Sequence, residues 1–247
     1  MPDVEYSHEV NSELHTVSGA AAAVHRLFPD SIPASVIDIG CGTGTWLRAM
    51  IDRGTAEIVG VDGLQVDEKL LFIDKASIRH FDLNLPIDLQ RQFDLVISLE
   101  TAEHIEPANS DIFVDSIVAH GKSVLFSAAS PGQGGTHHVN CQWPEYWQSL
   151  FNERGFVCND DVRWLIWEDH RIEPWYRQNL MTAVLDPVRA GTEPRLRRVI
   201  HPDLLPSFSG EFADGHRKMI EQGGMPWAWY PAAIAKALKA KVVGRIG

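Results

Sequence analysis

Val36-Ile37-Asp38-Ile39-Gly40-Cys41-Gly42-Thr43-Gly44-Thr45-Trp46-Leu47 reads as a buried strand that ends in a glycine-rich turn and opens a helix. Three glycines in five residues let the backbone take positive φ and approach a ligand closely, where a Cβ would collide. The spacing is Gly-x-Gly-x-Gly and position 45 is Thr, so the dinucleotide fingerprint Gly-x-Gly-x-x-Gly is not met. Asp38 sets a carboxylate two residues before the first glycine. That favours a ligand with an ammonium group over a pyrophosphate, which an adjacent carboxylate would repel.

Outward from this turn, Ile58-Val59-Gly60-Val61-Asp62 is a second β-branched strand, and it ends in an acid 18 residues past Gly44. At that distance α/β nucleotide folds place a carboxylate on ribose hydroxyls. Ile78-Arg79-His80-Phe81-Asp82-Leu83 and Phe93-Asp94-Leu95-Val96-Ile97-Ser98-Leu99-Glu100 follow as two further segments with an acid at or next to the end. A lone glycine turn is commonly only a tight turn, and a lone Asp commonly caps a helix. Four such segments in order make a stronger pattern than one glycine loop.

Asp-x-Gly-x-Gly-x-Gly after an apolar strand resembles motif I of the class I S-adenosylmethionine-dependent methyltransferases, and the later segments resemble that family's second, third and fourth strands. The resemblance implies S-adenosylmethionine as cofactor. It assigns Asp62, beside Gly63, to the ribose and Asp82, beside Leu83, to the adenine amino group. The implied cofactor contacts are Asp38, Gly40, Cys41, Gly42, Gly44, Asp62, Gly63, Asp82, Leu83 and Leu99.

Strand and helix patterns alternate between positions 19 and 127, which predicts parallel strands with right-handed crossovers and a ligand at their carboxyl ends. The expected fold is α/β: a doubly wound, mostly parallel seven-stranded sheet with a C-terminal extension. Residues 1–186 are expected to form the methyltransferase domain, and 187–247 an extension packed on it. Residues 7–29 read as a helix ended by Pro29 and Pro33; in the family such a helix lies over the cofactor cleft, making Tyr6 and His8 lid candidates. Further helices are expected over 111–120 and 144–154, and strands over 122–128, from Gly155, and over 179–185, the last being the antiparallel seventh. The stretch 232–243, apolar with three lysines, reads as a terminal helix.

Methyl transfer from a sulfonium is an in-line displacement, so the protein supplies alignment and, for a hydroxyl acceptor, a base. Two segments offer such groups. Glu100-Thr101-Ala102-Glu103-His104 is similar to a Glu-x-x-Glu-His pattern of the ubiquinone-biosynthesis O-methyltransferases, where these positions have been linked to a divalent metal. The same residues are accounted for without a metal if Glu100 and Glu103 stabilise a helix N-terminus with His104 packed beneath, and this is the preferred reading. The second segment, Pro131 to Trp147, is a glycine loop followed by His137, His138, Asn140, Gln142 and Trp143. A histidine can take a hydroxyl proton, amides can bind a polyhydroxylated acceptor, and a tryptophan can stack on a sugar face. It resembles a Gly-x-His-Val-Asn-x-Gln element of methyltransferases of bacterial glycan and small-molecule biosynthesis, which aligns His138 with the single histidine. His138 and then His137 are the catalytic candidates, and Glu100, Asn140, Gln142 and Trp143 face the acceptor. Asp160-Asp161 is either a further metal pair or a strand end in solvent.

A net charge of −11 argues against nucleic acid as a partner, since phosphate binding needs a basic footprint; Arg195-Leu196-Arg197-Arg198 is the densest cationic run and is read as solvated. Three cysteines without a Cys-x-x-Cys pair give no disulfide or zinc framework. No targeting segment and no apolar run long enough to span a bilayer is apparent, so a cytoplasmic location is expected. The expected function is transfer of a methyl group to an oxygen of a small molecule, a sugar or glycan precursor. The alternatives are a protein or nitrogen acceptor, or a cofactor-binding scaffold without turnover.

Overall fold

The computed structural model describes residues 15–205 together with Tyr230 and Pro231. Tyr6, His8 and the 232–243 stretch lie outside the described residues. Seven strands form one sheet: β1 (Ser35–Ile39), β2 (Glu57–Asp62), β3 (Ile78–His80), β4 (Leu95–Leu99), β5 (Ser123–Ser127), β6 (Phe156–Asn159) and β7 (Met181–Leu185). Their order across the sheet is β3-β2-β1-β4-β5-β7-β6. All neighbours are parallel except β7, which runs against both β5 and β6. The helices are α1 (Val17–Leu27), α2 (Thr45–Arg53), α3 (Ser110–Ala119), α4 (Pro144–Glu153), α5 (Asp161–Ile166) and α6 (Pro174–Asn179).

Alternate residues of each strand face opposite sides, and both sides are covered. Ile37, Ile39, Val96, Val124 and Phe126 pack with Phe113 and Ile117 of α3 and with Trp147 and Phe151 of α4. Val36, Leu95, Ile97 and Leu125 pack on the other side with Ala20 and Val24 of α1, Leu47 and Met50 of α2, and Tyr176 of α6. This double burial explains why β1 and β4 read as continuous apolar runs. Each fully buried Val, Leu or Ile contributes about 1.5–3 kcal/mol. α1 buries a small-residue face of Gly19, Ala20 and Ala23, and starts where the Thr16 hydroxyl accepts from Gly19 N at 2.9 Å. Such a cap is worth ~1 kcal/mol.

Two boundaries differ from expectation for local reasons. β3 stops at His80, so Asp82 sits in a turn where its carboxylate accepts from Asn84 N at 2.9 Å. β7 starts at Met181 because Pro174, fixed for a helix start, initiates α6, and Asn179 closes that helix rather than opening the strand. The sheet-bearing compact unit runs to Leu205, and a second unit begins at Pro206. Residues 187–205 return over the sheet edge: Leu196 is buried in the core, and its N–H donates to Gln148 Oε1 at 2.9 Å. Among the described residues no helix is long and apolar enough to cross a membrane.

Candidate active site

The carboxyl ends of β1, β2, β4 and β5 converge on the glycine turn. Gly40 has φ +90, and a Cβ there would collide with the Thr101 side chain after β4. The Thr101 hydroxyl donates to Leu99 O at 3.2 Å and reaches Gly40 O at 3.5 Å, tying the two strand ends together. Asp62 braces the turn, accepting from Gly42 N at 2.8 Å and Leu64 N at 2.9 Å. Asp38 is 4% exposed one strand away, and burial together with the charge of Asp62 pushes its carboxyl up to about 8. Cys41 is buried, and that burial first, then Asp62 and Asp38, pushes its thiol well up. A cationic group entering here would meet two acids, one of which gives up its proton to become a partner. Gly63, Leu83 and Leu99 line up beside the strand ends; Leu83 and Leu99 are buried and Asp82 is exposed.

Glu100, the residue after β4, has φ +50, unusual for a side chain with a Cβ. Its carboxylate accepts from Gln133 Nε2 at 3.0 Å and from Asn179 Nδ2 at 3.1 Å, and its N–H is held by Ser127. Burial raises its carboxyl, and these hydrogen bonds hold it back. The acid is thus locked into an amide network with Gln133, Gln178 and Asn179, separate from the metal-type cluster expected to include it.

Ala102–His104 forms a single tight turn rather than the start of an α-helix, which lets the adjacent residues 103 and 104 turn to one side. Glu103 is 1% exposed, and neither carboxylate oxygen has a hydrogen-bond partner among the described residues. Burial first, then Glu100, pushes its carboxyl well above the usual range. His138 Nε2 stands 4.0 Å from Glu103 Oε1, and its ring meets His104 edge-on at 5.0 Å. Burial lowers both imidazoles, His104 to about 4 with help from His138. Both are therefore neutral near pH 7. Glu103, His104 and His138 each offer one ligand atom within 4.8 Å of the others, a donor set competent for a divalent cation. His138 takes the place in this set that the sequence pattern gave to Glu100.

Glycine shapes this cluster too. A Cβ on Gly135 would strike the His138 ring, whose Nδ1 faces Gln133 O at 3.3 Å and the Cys141 thiol at 3.7 Å. His137 is exposed with φ +59, and its carbonyl faces His104 Nδ1 at 3.1 Å. Asn140 is 1% exposed; it donates to Ser110 Oγ at 2.9 Å and accepts from Gln142 Nε2 at 3.1 Å, so these amides brace the loop. Trp143 is half-buried at the start of α4 with Arg198 over its ring, while Trp147 is core. The Asp160-Asp161 pair divides: Asp161 is exposed, while Asp160 is buried against Arg163 at 3.2 Å and Arg197 at 3.8 Å. Gln133 and Asn179, which hold Glu100, were not singled out from sequence, because contacts across 33 and 79 positions leave no local pattern.

A family model described as a methyltransferase domain matches residues 10–158. The chain is 36% identical over 70 residues to the ribosomal RNA large subunit methyltransferase E of Hyphomonas neptunium, covering 26% of this chain and 28% of the relative. It is 29% identical over 110 residues to the mitochondrial ubiquinone biosynthesis O-methyltransferase of Dictyostelium discoideum, covering 38% and 34%. The matches thus span about a third or less of these curated relatives. Among solved structures, the phosphoethanolamine N-methyltransferase 1 of Haemonchus contortus, in complex with phosphoethanolamine and S-adenosylhomocysteine, superposes with a TM-score of 0.52 at 14% identity. The match covers 87% of this chain and 54% of that one.

Proposed function

Because the chain belongs to the methyltransferase domain family, we propose that it moves the methyl group of S-adenosylmethionine to an oxygen of a small molecule, a sugar or glycan precursor, with His138 as the base. The observation that carries this reading is the neutral, half-buried imidazole of His138 set beside the buried Glu103 in the loop after β5. A neutral imidazole accepts the hydroxyl proton as the oxygen attacks the methyl carbon and the sulfonium leaves as a thioether. Glu103 then faces the imidazolium that forms. The cofactor's ammonium is assigned to the Asp38 end of the glycine turn, its ribose to Asp62 and its adenine to the Asp82–Leu83 turn. Half-buried Trp143 supports a sugar face, and the O-methyltransferase among the relatives supports an oxygen acceptor.

Formation of S-adenosylhomocysteine with a panel of sugar, phenol and amine acceptors tests this. His138→Ala should lower turnover about 10²-fold or more while leaving S-adenosylhomocysteine affinity unchanged. Undiminished turnover in that variant removes the base assignment, and activity confined to amines or proteins removes the oxygen acceptor.

A second reading has its own observation: the buried carboxylate of Glu103 beside the imidazoles of His104 and His138 fits a divalent cation. Glu103, His104 and His138 would hold it, and it would supply a Lewis acid for the acceptor hydroxyl. A chelator then abolishes activity that added magnesium, manganese or zinc restores; under the base reading it has no effect.

A further inference from the structure

Beside the carboxyl end of β5 lies a shallow recess, open to solvent at its mouth, whose walls include Ser130, Trp147, Arg163, Gln178, Asn179 and Arg197. Its enclosed floor admits a group about the size of one water, the tip of a functional group rather than a ring. Charge within it is unbalanced. Two guanidiniums, Arg163 and Arg197, share the single carboxylate of Asp160. Arg163 is 1% exposed, and its Nε, like Trp147 Nε1, lacks a hydrogen-bond partner among the described residues. A buried cation with an unused N–H is costly unless something anionic completes it. Burial, with the neighbouring Arg197, holds the Arg163 guanidinium down to about 10. Of the other acids, Glu145 pairs with Arg198 through one oxygen, and Asp161 accepts from Asn159.

The recess also shares a wall with the reacting centre. Asn179 lines it and donates to Glu100 at 3.1 Å; Gln178 lines it and donates to Gln133, which in turn holds Glu100 and faces His138. We propose that this recess takes one oxygen of an anionic group of the acceptor, a carboxylate or phosphate whose remaining atoms lie at the open mouth, so that the substrate class is an acidic sugar: a uronate or a sugar phosphate. This rests on the small-molecule methyltransferase reading above and narrows it. The planar fork of a guanidinium suits both anions, and the water-sized floor excludes a ring from the same place. The sugar ring then lies outside the recess, on the side of Glu100 and His138.

Calorimetric titrations of the full chain, with and without S-adenosylhomocysteine, would use glucuronate, glucose 1-phosphate and uncharged glucose. At least one charged sugar should bind saturably, at least about 10-fold tighter than glucose. Arg197→Gln, at an exposed position where folding is not at stake, should weaken that binding about 10-fold or more with S-adenosylhomocysteine affinity unchanged. Arg163→Gln should weaken it further. Preference for glucuronate identifies a carboxylate and preference for glucose 1-phosphate a phosphate. Equal binding of charged and neutral sugars, no binding of either charged sugar, or anion binding untouched by Arg197→Gln overturns the proposal. So does anion binding displaced by S-adenosylhomocysteine, which would place the anion in the cofactor cleft. Loss of S-adenosylhomocysteine binding by the parent chain is a separate failure, of the methyltransferase reading itself.

Discussion

At the scale of single residues, the site is organised by acids and imidazoles held away from their ordinary ionisation. Asp38 is protonated in the folded protein up to about 8 and ionised in the unfolded chain above 3.8. The folded state therefore binds the extra proton between those values, and its stability falls as pH rises through that window. Asp38→Asn removes the effect: it should match the parent near pH 4 and be more stable near pH 8, by a few kcal/mol at ~1.4 kcal/mol per pKa unit, in denaturant titrations. The same variant should bind S-adenosylmethionine more weakly, because the ammonium loses its partner. His138 carries a second pH signature. Since burial lowers its imidazole, the acid limb of kcat/KM should fall below 6.5, the ordinary histidine value, and disappear in His138→Ala.

At the scale of elements, the strand-turn-helix of β1, Gly40–Gly44 and α2 was legible in the sequence, because a doubly covered strand leaves an unbroken apolar run and a φ-positive turn demands glycine. β4 and β5 were legible for the same reason, whereas the antiparallel direction of β7, a strand with Val184 and Leu185 exposed, followed only from the family resemblance. The neighbourhood of Glu100 was not. Its positive φ, its amide partners Gln133 and Asn179, and the exchange of Glu100 for His138 beside Glu103 all arise where segments distant in sequence meet. Asn140 and Gln142, expected at the acceptor because amides are chemically versatile, brace the loop through each other and Ser110. That loop is where an element-level change should show. Gly135→Ala forces the His138 ring from its seat, so kcat should drop about 10-fold or more. Gly135 is exposed, and the melting temperature should move little.

At the scale of the whole molecule, the sheet unit depends on residues well past β7. Glu193 accepts from Asn152 Nδ2 at 2.6 Å, Cys158 N at 3.0 Å and Gln148 Nε2 at 3.2 Å, fastening the returning segment to α4 and β6. Partial burial would raise its carboxyl, but these donors outweigh that and hold it at about 2. A lowered folded value contributes stability that is present above the unfolded 4.5 and is lost as pH falls toward about 2. Glu193→Ala should therefore lower the melting temperature at pH 7, with the gap to the parent closing between about 4.5 and about 2. The cofactor site proposed at the carboxyl ends of the strands has Asp62 as the brace of its glycine turn. Calorimetric binding of S-adenosylmethionine and S-adenosylhomocysteine, comparing the native chain with Asp62→Ala and Asp62→Asn, addresses that site directly. Micromolar binding by the native chain, lost in both variants while their melting temperatures stay close to the parent's, is the expected result; no binding by the native chain, or binding undiminished in the variants, would contradict it.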